Sequence, residues 1–217
     1  MSLRNKAVEF FIKQDVLQFG DFTLKSGRKS PYFFNTGRLC SGHQLAELGK
    51  LYADLIAGGE TFFDANVIFG SAYKGIPISV ATTIALAEHF KKPDLRAVSD
   101  RKEAKTHGDT SAFLGVLNPG DHVVIVDDVI TTGGTKYESI EKLTALDCKV
   151  LGVVIAFDRM EPVSNSGLSA LEEFEKTSGL PVLPLCTIED VIAVKPDFAP
   201  KYHEYRKRVE AEIMNKA

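Results

Sequence analysis

Two adjacent carboxylates stand at the end of one of the most apolar runs in the chain. Asp127 and Asp128 directly follow the four apolar residues 123–126. Such a run predicts a buried strand, and in α/β proteins the carboxyl end of a buried strand opens into the ligand-binding crevice. Neighbouring carboxylates repel one another and resist burial, so a metal ion, sugar hydroxyls or cationic neighbours must offset the cost.

The next segment has the residue types of an anion cradle. Residues 131–135 read Thr-Thr-Gly-Gly-Thr and precede a predicted helix. They supply hydroxyls and closely approachable N–H groups at a helix start. Together with carboxylates suited to ribose hydroxyls, they indicate a ribose 5-phosphate group as the ligand. In the alternative interpretation the aspartates only cap the helix. No G-x-x-x-x-G-K-[ST] or strand-linked G-x-G-x-x-G motif competes with this assignment.

Three other segments carry charges or rings suited to the rest of such a ligand. Residues 70–75 follow a short apolar strand and place Lys74 among small residues that let the backbone approach a phosphate. Residues 101–107 carry three cationic side chains and one acidic side chain, Glu103, which suits an anionic partner. A charged run seen alone is more often a solvated turn. Residues 25–34 predict a hairpin whose aromatic rings either line a planar base or pack locally.

These segments resemble one known family in their order along the chain. Residues 123–135 resemble the phosphoribosyl-diphosphate signature of type I phosphoribosyltransferases. Residues 22–35, 70–77 and 101–108 resemble the hood, the diphosphate loop and the mobile catalytic loop of the orotate phosphoribosyltransferases. The resemblance continues through Phe157-Asp158-Arg159 and covers the chain from about Val16 onward.

The resemblance implies a reaction and a set of site residues. It implies Mg²⁺-dependent transfer of a 5-phosphoribosyl group from 5-phosphoribosyl 1-diphosphate to orotate, which yields orotidine 5'-monophosphate and diphosphate in pyrimidine biosynthesis. The implied catalytic residues are Arg101, Lys102, Lys105, His107, Asp127 and Asp128. The implied orotate contacts are Lys25, Phe33, Phe34, Thr131 and Arg159. The implied phosphoribosyl-diphosphate contacts are Lys25, Tyr73, Lys74, Arg101, Lys102, Lys105, His107, Asp127, Asp128, Val129, Ile130, Thr131, Thr132, Gly133, Gly134 and Thr135.

The resemblance also implies features beyond single contacts. Mg²⁺ is expected near Asp127 and Asp128, held mainly by substrate and water. A homodimer with shared active sites is expected, as is a non-proline cis peptide near Ala72-Tyr73. Two departures from the family pattern are visible. Ser99-Asp100 stands where an aromatic-Asn pair is common, and residues 108–111 are less glycine-rich than usual.

The elements expected to position these residues alternate between helix and strand. We predict helices at 5–17, 43–57, 76–90, 134–146 and 167–176, a short one from Thr187, and a surface helix at 197–215. We predict two hood strands within 19–35 and further strands at 67–69, 95–99, 122–126, 150–157 and 182–185. The fold class is therefore α/β, with a mostly parallel sheet flanked by helices. Residues 1–217 are expected to form one domain, to which residues 1–40 contribute the first helix and a β-rich hood.

Composition restricts the remaining classes of function. The 217 residues carry 26 basic and 29 acidic side chains, so overall charge does not favour nucleic-acid binding. The three cysteines form no C-x-x-C pair, and no apolar run suits a signal peptide or a bilayer span. We therefore expect a cytoplasmic enzyme with no membrane or nucleic-acid partner. The rival functions are a purine or uracil phosphoribosyltransferase and a noncatalytic regulator that senses phosphoribosyl diphosphate.

Overall fold

The computed structural model describes residues 1–24, 27–62, 64–101, 112–131, 133–164 and 166–215. The strands are β1 Leu17–Thr23, β2 Lys29–Phe34, β3 Val67–Gly70, β4 Arg96–Asp100, β5 Phe113–Leu114, β6 His122–Asp127, β7 Lys149–Asp158 and β8 Val182–Thr187. The α-helices are α1 Leu3–Lys13, α2 Gly42–Gly58, α3 Gly75–Phe90, α4 Gly134–Thr144, α5 Ala170–Ser178, α6 Ile188–Val194 and α7 Ala199–Met214.

The described residues form one large sheet and one small one. The large sheet has the order β5-β4-β3-β6-β7-β8, and its neighbours are parallel except for β5, which runs antiparallel to β4. β1 and β2 pair antiparallel in a separate sheet. The predicted mostly parallel sheet and the β-rich hood outside it are both confirmed.

The strand order creates a topological switch point between β3 and β6. From β3 the chain crosses through α3 to β4 on one side, and from β6 it crosses through α4 to β7 on the other. Adjacent strands whose connections leave in opposite directions open a crevice at their carboxyl ends, where α/β proteins bind ligands. The residues that follow β3 and β6 therefore meet in one place.

Alternation along the strands builds a core on each face of the large sheet. On β6, Val124 and Val126 pack into the core that contains residues of α1, α2, α3 and α6. Val123 and Ile125 face the opposite core, which contains residues of α4 and α5. Because these strands are covered on both faces, they read in the sequence as continuous apolar runs.

Several element boundaries differ from the predictions for local reasons. The first helix ends at Lys13, because the chain turns at Asp15, whose φ is 55°, and Val16 donates back to the carbonyl of Phe11. The fifth helix begins at Ala170, because Ser169 and Glu172 form a capping box there. The strand β5 was not predicted, since two residues carry no readable periodicity.

The C-terminal helix lies on the surface as predicted, and one of its faces is buried. Most of α7 is exposed, whereas Tyr202, Tyr205 and Val209 are buried. The rings of Tyr202 and Tyr205 lie 6.3 and 6.2 Å from the ring of Tyr32 in the hood. One face of the helix thus packs beneath the hood. Within the part of the chain that the structure describes, every helix is too short or too polar to cross a lipid bilayer.

Helices α2 and α3 approach each other closely at Gly49. A Cβ atom added to Gly49 of α2 would lie 2.4 Å from the carbonyl oxygen of Ala81 in α3. Because backbone cannot move aside cheaply, Gly49→Ala is expected to lower the free energy of unfolding by about 1–3 kcal/mol. Gly42→Ala in the same helix is the matched control, since a Cβ there meets nothing within 4 Å. Equal urea midpoints for the two variants would contradict the prediction.

Candidate active site

Asp127 and Asp128 lie at the carboxyl end of β6, and both are buried. The Asp128 N–H donates to Oδ1 of Asp127 and the Val129 N–H donates to Oδ1 of Asp128, each at 2.9 Å. The Tyr52 hydroxyl of α2 donates to the Asp127 carbonyl at 2.8 Å. One oxygen of each carboxylate is thus held by backbone, while the other remains for a second partner.

Two lysines from different parts of the fold occupy these second positions. Lys74, after β3, places Nζ 2.5 Å from Oδ2 of Asp128. Lys136, in the first turn of α4, forms an ion pair with Oδ2 of Asp127 and donates to the Val129 carbonyl at 2.8 Å. Of the three ways to offset two buried carboxylates, the structure therefore supplies cationic neighbours from the chain itself.

Burial acts on two pKa values at the end of β6. It raises the pKa of the Asp127 carboxyl above its ordinary value, Lys136 opposes that rise, and the charge of Asp128 adds to it. Burial, together with the charges of Asp128 and Asp127, also raises the pKa of Tyr52 well above its ordinary value. Tyr52 therefore stays a neutral hydrogen-bond donor to the strand end.

The segment between β6 and α4, which the sequence predicts to be a phosphate cradle, leads directly into the start of a helix. Gly133 has φ 74°, in the left-handed region that favours glycine, and it stands immediately before the first residue of α4. Thr131 and Thr135 are exposed on either side, whereas Ile130 is buried. The first N–H groups of a helix have no intrahelical acceptor, and the helix dipole favours an anion there. Thr132 lies outside the described residues.

The predicted diphosphate loop follows β3 and reaches the same crevice. Its Ala72-Tyr73 peptide bond is cis, which confirms that expectation. A Cβ on Gly75 would lie 2.8 Å from the carbonyl carbon of Gly70 and 2.9 Å from the carbonyl oxygen of Val126. Only glycine allows the loop to fold this closely against the end of β6.

Asp100, at the end of β4, holds the diphosphate loop from the side. Its Oδ1 accepts the Ala72 N–H at 2.7 Å, and its Oδ2 lies 3.6 Å from the Lys142 ammonium of α4. The sequence departs from the family at this position. In the structure the aspartate serves as a buried acceptor whose charge is offset by Lys142.

Arg101 is the one cation of the predicted catalytic loop that the structure describes. Its N–H donates to the Ala112 carbonyl at 2.8 Å and its Nε donates to the Phe113 carbonyl at 3.3 Å. It therefore stands at the carboxyl end of β4, beside the diphosphate loop. Lys102, Lys105 and His107 lie outside the described residues, as does Lys25 of the hood.

The candidate orotate residues occupy the hood and the end of β7. Phe33 and Phe34 alternate along β2, so their rings point to opposite sides. The Phe34 ring is buried and stacks on Phe157 at 4.8 Å. The Phe33 ring is only partly buried and stacks on Phe22 at 5.6 Å. Of the two rings, Phe33 thus has the face more open to a ligand.

Arg159 follows β7 and is held by a polar network. Its Nε and Nη2 donate to Oε1 of Glu161 at 3.1 and 2.8 Å, and the guanidinium lies 4.9 Å from the centre of the Tyr32 ring. Burial opposes its charge, but the Tyr32 and Glu161 neighbours outweigh burial and raise the pKa of Arg159. The guanidinium is therefore charged, with one edge bound to Glu161.

Comparisons with known proteins agree with this geometry. Residues 43–174 match the phosphoribosyl transferase domain family. An orotate phosphoribosyltransferase of Salmonella newport (strain SL254) is 46% identical over 195 residues, which are 88% of this chain and 89% of the relative. This chain belongs to the orotate phosphoribosyltransferases. Like its relatives, it is a pentosyltransferase of pyrimidine biosynthesis.

Solved structures agree with the family assignment. The orotate phosphoribosyltransferase of Francisella tularensis has a TM-score of 0.81 at 37% identity, covering 93% of this chain and 97% of its own. The Mycobacterium tuberculosis orotate phosphoribosyltransferase in complex with 5-phospho-α-D-ribosyl 1-diphosphate has a TM-score of 0.65 at 22% identity, covering 88% of this chain and 99% of its own. At that identity the second match supports the fold alone.

Four residues that contact the predicted site residues or loops of this orotate phosphoribosyltransferase were missed in the sequence. Tyr52 and Lys136 lie in amphipathic helices, where a tyrosine suggests core packing and a lysine suggests a solvated face. Asp100 was noted only as a departure from the family pattern. Glu161 follows the recognised Asp158-Arg159 pair but belongs to no motif of its own. The only usable signal was the need for cations near two buried carboxylates, which does not say which lysines supply them.

Proposed function

We propose that this chain transfers the 5-phosphoribosyl group to N1 of orotate at the crevice between β3 and β6. The observation that carries the proposal is the meeting of Asp127, Asp128 and Lys74 at that switch point. The reaction breaks the bond between ribose C1 and diphosphate and forms a bond from C1 to the orotate nitrogen, which gives up its proton, so diphosphate and one proton are released. The protein must hold both reactants near C1 and neutralise the departing charge.

The two aspartates are proposed to bind the ribose. Their carboxylate oxygens can accept further hydrogen bonds from the ribose hydroxyls, and their charge favours the positive ribose ring that develops as diphosphate leaves. Thr131 to Thr135 would hold the 5-phosphate at the start of α4. In this arrangement Lys74 exchanges Asp128 for the diphosphate, and its half-exposed side chain has room to do so.

The diphosphate is proposed to lie between the loop after β3 and the end of β4. Lys74 and Arg101 supply charge from the described residues, while Tyr73 lies beside Lys74 in the same loop. Lys102, Lys105 and His107 would close over the leaving group and exclude water, which would otherwise attack the ribose cation. Diphosphate carries several negative charges, so a concentrated set of cations is what its departure requires.

Mg²⁺ is proposed to act with the substrate. Among the described residues no cluster of three or more His, Cys, Asp and Glu side chains is arranged to hold a metal ion. Asp127 and Asp128 offer hard oxygen donors, which fits an ion held mainly by substrate oxygens and water with these carboxylates nearby. When bound, the ion neutralises charge on the diphosphate.

Orotate is proposed to lie between the hood and Arg159. Phe33 and Thr131 would line the base, while Lys25 and Arg159 would meet its carboxylate and carbonyl oxygens. Phe34, which the resemblance also implied, is left out, because its buried ring points to the other side of β2 and stacks on Phe157. Glu161 and the Tyr205 hydroxyl fix Nε and Nη2 of the Arg159 guanidinium, and its Nη1 is proposed to meet the substrate.

Arg159→Lys is expected to raise the KM for orotate about tenfold while changing the KM for phosphoribosyl diphosphate little, because lysine lacks the planar pair of donors. Steady-state kinetics with each substrate varied in turn measures the two KM values separately. The exposed ion pair of Arg4 with Asp190 provides a matched Arg→Lys control remote from the site. Equal increases in both KM values would contradict the assignment.

A homodimer is proposed from an apolar stripe on α3 and the loop before it. Tyr73, Pro77, Val80 and Ile84 recur at helical spacing and are exposed, with Ile84 at 53% and Tyr73 at 66%. A contiguous apolar stripe suits a partner surface. Because it begins beside Lys74, a second copy docked on it would lie next to the diphosphate loop.

The activity is tested by the loss of orotate absorbance on addition of phosphoribosyl diphosphate and Mg²⁺. Release of diphosphate is then compared with orotate, uracil, adenine and hypoxanthine as acceptors. We expect turnover with orotate only, and preferred turnover of a purine or uracil would overturn the substrate assignment. A cytoplasmic location is also proposed, in keeping with the three free cysteines.

A further inference from the structure

Lys136 is a buried lysine in an unfavourable position. It lies in the first turn of α4, where the helix dipole disfavours a cation, and its side chain is only 6% exposed. A buried ammonium without a partner is very costly, so its place in the fold depends on what it contacts. It is not among the residues that the resemblance implied for the site.

The contacts of Lys136 join two points of the proposed ribose site. Its ammonium pairs with Oδ2 of Asp127 and donates to the carbonyl of Val129 at 2.8 Å. These groups lie on either side of Asp128, because Asp127 is the last residue of β6 and Val129 is the second residue after it. The lysine therefore links the end of the strand to the backbone that has left the sheet.

The two lysines of the site differ in exposure. Lys74, which pairs with Asp128, is 46% exposed and comes from the loop after β3. Lys136 comes from the rigid helix α4, and both it and Asp127 are buried. Lys74 can exchange partners at little cost in free energy, because it is half-exposed. Separating Lys136 from Asp127 would instead leave two buried charges without a partner.

We propose that Lys136 is a positioning residue of the ribose site, which fixes the Asp127 carboxylate and the Val129 carbonyl in the arrangement that receives phosphoribosyl diphosphate. The inference deepens the proposed function and rests on its assignment of Asp127 to the ribose. Lys136 acts through Asp127 and touches no reacting atom. It holds one oxygen of the carboxylate so that the carboxylate is oriented before the substrate arrives.

The test is a double-mutant cycle between Lys136→Met and Asp127→Asn. Lys136→Met is expected to lower kcat/KM for phosphoribosyl diphosphate about 10- to 30-fold, with a smaller change in the KM for orotate. In the Asp127→Asn background the same substitution is expected to change kcat/KM by less than about threefold, because the group it positions is gone. A purely structural lysine would give similar losses in both backgrounds.

Lys149→Met is the matched control, since Lys149 is an exposed lysine at the far end of β7. It should retain wild-type kinetics. If Lys136→Met alone does not fold, the Lys136→Met/Asp127→Asn double variant still tests the proposal, because it contains no unpaired buried charge. Its affinity for phosphoribosyl diphosphate, measured by calorimetry, should equal that of Asp127→Asn. A further loss above about threefold, or wild-type kcat/KM in Lys136→Met, would overturn the proposal.

The calorimetry also separates this proposal from the activity assignment. Binding of phosphoribosyl diphosphate is measured without orotate, so it reports on Lys136 even if the wild-type chain used another base. Absence of turnover with orotate in the wild-type chain would remove the substrate assignment alone.

Discussion

Asp128→Asn is expected to lower kcat/KM for phosphoribosyl diphosphate by about 10²-fold or more. The Val129 N–H donates to Oδ1 of Asp128 at 2.9 Å. Asparagine keeps the shape of the side chain and an oxygen that can accept this hydrogen bond. It removes the negative charge that would favour the ribose cation and bind its hydroxyls. Initial rates at varied phosphoribosyl diphosphate measure the effect.

The fold should tolerate this substitution. Lys74, the cation that loses its partner, is half-exposed and can be solvated. Asp94→Asn, at an exposed aspartate beyond the opposite end of the sheet, is the matched control and should leave the kinetics unchanged. Unchanged kinetics in Asp128→Asn with an intact fold would remove the aspartate from the ribose site.

Lys105→Ala is expected to lower kcat by about 10²-fold or more without changing the free energy of unfolding. The residue lies outside the described part of the chain, so this expectation rests on its place in the family's catalytic loop. The physical reason is the charge of the departing diphosphate, which needs a cation that acts as the bond breaks. Near-normal turnover in the variant would exclude Lys105 from the mechanism.

Mixing the two variants tests whether the loop acts on the neighbouring subunit. In a mixed dimer of Asp128→Asn and Lys105→Ala, a loop acting in trans leaves one site with both groups intact. Random exchange at equal amounts should then restore about a quarter of wild-type activity, because half of the dimers are mixed and each has one working site. A loop acting in cis would restore none. Full wild-type activity in a monomeric form of the protein would contradict an active site shared between subunits.

The local elements and the placement of the acidic pair followed from the sequence. Residues 123–126 are buried on both sides of the sheet, so their apolar run identified a parallel strand and put Asp127 and Asp128 at its end. The short helix from Thr187 was readable because Thr187 and Asp190 form a capping box, which depends only on neighbouring residues. Such features are local, and local sequence is enough to specify them.

The partners of those residues were decided by the tertiary structure. Lys74 and Asp128 are 54 positions apart and meet only because β3 and β6 are neighbours in the sheet. Strand order depends on how helices and strands pack as a whole, and periodicity along the chain does not encode it. For the same reason the amphipathic patterns of α4 and α7 did not reveal that Lys136 faces Asp127 or that Tyr202 and Tyr205 pack beneath the hood. The sequence therefore singled out the acidic groups that are proposed to carry the chemistry, while the packing of the sheet determined which cations those groups face.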